Sequence, residues 1–150
     1  MAPEIEVVRV ESSIIASVRR RVTWSEIGAV IVPMIDEVYA ALNAGGVGGR
    51  GHNVALYHDA GPAGAELEAG VELAEPFATS GNVACSRTPG GLAAHCVHRG
   101  EYHLLGGVHE ALIQWLEAQG KPIGLGWEVY GDWHDDPSRR RTDVYRLIPE

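Results

Sequence analysis

A chain of 150 residues, 45% hydrophobic and 21% charged, has the composition of an ordinary globular domain, or of two very small ones sharing a core. Lys and Arg number 12 against 20 Asp and Glu, a formal charge of −8, which counts against a free-standing nucleic-acid binder, because that role needs a basic face to neutralise phosphates. An acidic field of this kind favours cationic small molecules, or serves only solubility.

The N-terminal stretch MAPEIEVVRVESS has no basic start followed by an apolar core, so no signal peptide is expected. No run approaches 18 consecutive apolar residues, which argues against a membrane span, and the expectation is a cytoplasmic protein with reduced thiols. Residues 4–22 read as a strand pair with a turn near Ser12-Ser13. Ser25 then serves as N-cap of a helix whose apolar residues recur at Ile27, Val30, Ile31, Met34, Ile35, Val38, Tyr39 and Leu42, with Pro33 placed to kink or divide it. After a Gly-rich loop, residues 53–59 and 66–73 are two more predicted strands around the turn Gly61-Pro62-Ala63-Gly64.

The same order then recurs. Residues 82–87 and 92–98 read as a hairpin around Gly90-Gly91, and a two-residue loop there would set Cys85 opposite Cys96, although two small buried side chains are the plainer reading. A helix follows, carrying Leu104, Leu105, Val108, Leu112, Ile113, Trp115 and Leu116 and ending at Gly120. A strand around residues 127–133, a polar loop over 134–141 and a last strand over 143–148 complete the chain. The segment Val54-Ala55-Leu56-Tyr57-His58-Asp59 aligns with Trp127-Glu128-Val129-Tyr130-Gly131-Asp132, so the chain is one domain built from two pseudo-repeats, about 1–78 and 79–150. The expected fold is α+β: tandem strand-helix-strand-strand units forming an antiparallel sheet, with two helices on one face and a ligand cleft on the other.

Departures from the repeat carry information. Glu128 takes the place that Ala55 holds in the first half, and alternation along a strand puts Glu128 and Tyr130 on one face, Trp127 and Val129 on the other. A carboxylate among aromatic residues costs desolvation energy unless paired. A cationic ligand would supply the charge, and Tyr130, Tyr145, Tyr102 and Trp24 are placed to line such a site. The plainer alternative is a solvated carboxylate, or one paired with an arginine such as Arg146.

The second half, His98-Arg99-Gly100-Glu101-Tyr102, Glu110 to Leu116, Trp127-Glu128-Val129-Tyr130 and Thr142-Asp143-Val144-Tyr145, resembles the GyrI-like small-molecule-binding family, which includes effector-binding domains of AraC- and MerR-type transcription regulators. The resemblance covers essentially the whole chain. It implies a cleft for hydrophobic, often cationic, aromatic compounds with a central glutamate, a role that falls on Glu128, while Tyr130 and Tyr145 match neighbouring aromatic positions. The effector domain uses the full length here, leaving no room for a helix-turn-helix module and placing direct transcriptional control in doubt. Some free-standing members resemble hydrolases of electrophilic cyclopropane-bearing natural products, which makes Glu128 the water-activating residue of an alternative reading. A protein-interaction module, such as a topoisomerase modulator, is a third.

No other chemistry stands out, and no cofactor or metal is expected. His95 and His98 fall on opposite faces of a strand, and the six-residue spacing of His103 and His109 suits a helix poorly. Gly45 to Gly49 and Gly106-Gly107 do not follow a strand and open a helix in the dinucleotide-binding pattern, so they read as a flexible loop and a tolerated helix break. Arg19-Arg20-Arg21 and Arg139-Arg140-Arg141 read as solvated clusters, the second balancing Asp135-Asp136.

Overall fold

The computed structural model describes residues 4–150, whose elements run β1 (Glu6–Val10), β2 (Ile14–Thr23), α1 (Ile27–Ala44), β3 (Arg50–His58), β4 (Gly64–Leu73), β5 (Ala84–Arg87), β6 (Gly91–Arg99), α2 (Leu105–Ala118), β7 (Gly126–Tyr130) and β8 (Arg141–Leu147). The fold is α+β, with eight strands in antiparallel pairing and two helices. Two compact units divide it: Ser13–Thr88, and the described residues up to Ser12 together with Pro89–Glu150.

In the first unit the strand order is β3-β4-β2-β5. α1 lays Val30, Met34, Val38 and Leu42, one helical stripe, against β2 and β4, and runs unbroken through the exposed Pro33. The expected cap at Ser25 is corrected. The chain turns in at Thr23, whose backbone N–H donates to the Glu26 carboxylate at 2.8 Å, and a 3-10 turn over Trp24–Glu26 precedes the helix. By length and composition alone Trp24–Ala44 is apolar enough to cross a membrane (mean hydropathy 1.4), contrary to the expectation drawn from apolar runs. Here it is the helix that covers this unit's sheet.

The second unit has the order β1-β6-β8-β7 and is covered by α2, with Ala94, Cys96, Leu105, Leu112, Leu116, Val144 and Ile148 as its buried core. α2 passes through Gly106-Gly107 without interruption, so the predicted helix break does not form. β7 ends at Tyr130, which leaves Trp133 in the following loop rather than on the strand.

Of the three strand pairs predicted around local turns, β3 with β4 forms and the other two do not. β1 pairs with β6, not β2, and β5 pairs with β2, not β6. Cys85 therefore lies opposite Ala16, and Cys96 opposite Val144, both as free thiols. Where the chain leaves the first unit, Thr88 N–H donates to the Ser13 carbonyl at 2.9 Å and Ser13 N–H to Thr88 Oγ1 at 2.8 Å. Local turn chemistry at Gly90-Gly91 suggested a reversal; the pairing partner is instead set by strands distant in sequence, which satisfy the same alternation.

On the face away from α2, His95 of β6 joins three strands. Its Nε2 lies 2.7 Å from Asp143 of β8 and its Nδ1 3.3 Å from Glu6 of β1. The Asp143 hydrogen bond holds the imidazole pKa above its usual value, and Glu6 adds to this against the opposing effect of burial. Burial pushes Asp143 up, but His95 and Arg141 outweigh it and hold the carboxyl down to about 2. The pair thus contributes fully between the ordinary ranges of aspartate and imidazole, about pH 4 to 6.5. That contribution fades as pH rises through the elevated His95 pKa, and again as pH falls toward 2. The Tm of the wild type should decline between pH 6 and 8.5 by a few degrees more than that of H95F; parallel curves would remove His95 as the cause.

Candidate functional site

Alternation on β7 puts Gly126, Glu128 and Tyr130 on one face, opposite Arg146, Val144 and Thr142 of β8, which in turn face Ala94, Cys96 and His98 of β6. This is the face that α2 covers, because Ala94, Cys96 and Val144 belong to the core against that helix. Glu128 accordingly lies on the helix side of its sheet, not in a cleft on the far side as expected. The reason is register: it shares a face with Val144, which is wholly buried under α2.

Glu128 is 1% exposed. The Tyr130 hydroxyl donates to its Oε1 at 2.5 Å, and His109 Nε2, from α2, lies 2.7 Å from its Oε2. On the far side of the imidazole, Nη2 of Arg146 lies 3.3 Å from Nδ1. A guanidinium has no acceptor, so it donates to Nδ1, and the imidazole proton sits on Nε2, directed at Glu128. Arg146 reaches this position by folding across Gly126, where a Cβ would stand 2.5 Å from its Cζ. Nη1 donates to the Gly124 carbonyl at 3.3 Å. Burial lowers the Arg146 pKa, opposed by the charges of Glu110 and Glu128. Among the described residues, two buried atoms of the same face, Thr142 Oγ1 and Arg146 Nε, have no hydrogen-bond partner.

Aromatic residues lead outward from the carboxylate. Tyr102, in the 3-10 turn before α2, meets the Tyr130 ring edge-on at 5.6 Å, and Trp133 stands 6.2 Å from Tyr102. Trp133 is 62% exposed and carries the Arg140 guanidinium 3.7 Å above its ring. Arg140 is anchored there by donating to the His134 carbonyl at 2.8 Å. Within the basic triplet Arg140 stacks on Trp133 while its charge still acts on Asp136, and Arg141 pairs with Asp143 at 3.1 Å.

Of the five residues singled out from the sequence, Glu128, Tyr130 and Tyr102 come together. Tyr145 does not join them. It sits on the opposite face, stacked on Trp127 at 4.9 Å and 4.7 Å from His95. Trp24 belongs to the other unit, tilted 6.2 Å from Tyr57, where Ala55 takes the place that Glu128 holds in the second half. His109 and Trp133 were missed as site residues. For His109 a signal is present in the spacing: it is four residues after Leu105 and three before Leu112, on the stripe that α2 buries.

A family model, GyrI-like small molecule binding domain, matches residues 3–146. No curated protein sequence matches the chain. Among solved structures, the C-terminal domain of EcmrR is 20% identical with a TM-score of 0.80, covering 100% of this chain and 99% of that one. The chain spans 57% of the EcmrR chain in its DNA complex. SAV2435 bound to tetraphenylphosphonium is 8% identical with a TM-score of 0.67, covering 97% and 94% of the two chains. A hydrolase from Listeria innocua is 12% identical, also with a TM-score of 0.67, covering 99% and 93%. At these identities the structural likeness is one of fold.

Proposed function

Because this chain belongs to the GyrI-like small-molecule-binding domain family, we propose that it binds lipophilic aromatic cations, with Glu128 as charge anchor and Tyr130, Tyr102 and Trp133 as the aromatic wall. One observation carries the reading: a carboxylate 1% exposed, hydrogen-bonded by a phenol and an imidazole, from which rings lead outward to solvent. Burial of aryl groups supplies most of the affinity, and the carboxylate selects for positive charge. Within the other unit, Trp24 with Tyr57 forms a further aromatic contact. The net charge of −8 adds weak steering of cations. The reading calls for no cofactor, metal or nucleic acid, and its cytoplasmic setting is in keeping with free Cys85 and Cys96.

Tetraphenylphosphonium, the molecule in the SAV2435 structure, has the required chemistry. By isothermal titration, the wild type should bind it at least about tenfold more tightly than neutral triphenylphosphine oxide. Equal affinities would remove the charge anchor.

A second reading, a hydrolase of strained electrophiles such as cyclopropane-bearing natural products, is favoured by one feature. Glu128, the Tyr130 hydroxyl and the His109 imidazole are linked by short hydrogen bonds, a set able to take a proton from water and return one to a leaving carbon. Mass spectrometry would then find a ring-opened product heavier by one water; unchanged substrate at high protein concentration counts against it.

A further inference from the structure

We propose that Arg146 determines the charge selectivity of the site by fixing His109 as a neutral donor to Glu128. The inference rests on the reading of Glu128 as charge anchor. The imidazole lies between a guanidinium 3.3 Å from Nδ1 and a carboxylate 2.7 Å from Nε2. With Nδ1 accepting from Arg146, a second ring proton has no place: it would set an N–H against an N–H, and one cation against another. His109 therefore satisfies Glu128 without neutralising it. Were the imidazole to take up that proton, it would form its own ion pair with Glu128, and a cationic ligand would have to compete with it.

Glu128 of β7 and Arg146 of β8 face the imidazole, with Tyr130 hydrogen-bonded to Glu128 and the charge of Glu110, on the helix of His109, acting on Arg146. Cys96 and His98 of β6, on the same face, and Tyr102 also belong to this side of the sheet. Arg146 donates to Nδ1. Gly126 belongs to the device. A Cβ at this position would stand 2.5 Å from Arg146 Cζ and Nη2, so any other residue pushes the guanidinium from its seat.

Two variants separate the parts. R146M removes the donor; G126A keeps the arginine but displaces it. The measurement is tetraphenylphosphonium affinity between pH 8 and pH 5.5, across the range in which imidazoles titrate. Both variants should lose about tenfold or more in affinity over that interval relative to the change in wild type, as the imidazolium forms and pairs with Glu128. Adding H109Q to R146M should abolish the extra pH dependence, which a merely structural role for Arg146 would not do. Profiles parallel to wild type, with E128Q still weakening the binding, overturn this inference alone. A wild type that binds no better than E128Q overturns the charge-anchor reading, and this inference with it.

Discussion

E128Q should bind tetraphenylphosphonium about thirtyfold or more weakly than wild type, and triphenylphosphine oxide less than about threefold more weakly. The difference follows from what the substitution changes. The two ligands present similar aryl surfaces, so the affinity due to burial is nearly common to both. Glutamine keeps the shape of Glu128 and an oxygen for the Tyr130 hydroxyl, but carries no charge. A desolvated ion pair loses about 2 kcal/mol or more when one charge is removed, which is the stated thirtyfold. The amide nitrogen would also face His109 Nε2–H, donor against donor. That local conflict weakens both ligands alike, and the neutral compound measures it. Isothermal titration of both on both proteins isolates the charge term; equal losses would sink charge selection. The hydrolase reading makes a different demand on the same variant, namely turnover of a neutral electrophile lowered by about two to four orders of magnitude.

Which parts of this site could be read from the sequence follows the range of the forces involved. The departure of Glu128 from Ala55 in the repeat, and its alternation with Trp127, needed only the period of a strand. Tyr130 follows from the same alternation, and Tyr102 from its place at the start of the second helix. Tyr145 failed because a face is shared between strands only through register, and register is not local: Tyr145 lies opposite Trp127, which places it away from Glu128. The two hairpins failed for the same reason, since β1 alternates as well against β6 as it would against β2. His109 was weighed only as a metal ligand. Its partner lies 19 residues away on a different element, and no spacing rule connects them. Arg146, the alternative partner for Glu128, does feel the charge of that carboxylate, and its guanidinium also lies against the far side of the His109 imidazole.

Glycine replacements test how the sheets are built, because alanine at three positions meets three different neighbours. G70A should lower stability by about 4 kcal/mol or more, with a fall in Tm of about 10 °C or more. At Gly70 of β4, paired with Ser17 of β2, a Cβ would stand 1.8 Å from the Ala16 carbonyl oxygen and 2.8 Å from Ser17 Cα. Both are backbone atoms, so relief requires the two strands to separate where Ser17 and Glu68 make their buried hydrogen bond. Glu68 is the other fully buried carboxylate; burial raises its pKa, but Ser17, His58, Ser86 and Arg19 hold it below the ordinary range. Moving β2 would loosen that network, so the G70A defect should deepen above about pH 4.3, where the ionised carboxylate contributes to stability, and narrow in acid. At Gly28 of α1 a Cβ meets nothing within 4 Å, and G28A should raise stability by about 0.5 to 1 kcal/mol through helix propensity. At Gly126 the obstacle is the far end of a flexible side chain, so alanine there should cost little stability and instead move Arg146. Urea or thermal denaturation of the three variants checks the ranking. A G70A protein as stable as wild type would mean that β2 and β4 do not approach this closely, and the register between Ser17 and Gly70 would have to be wrong.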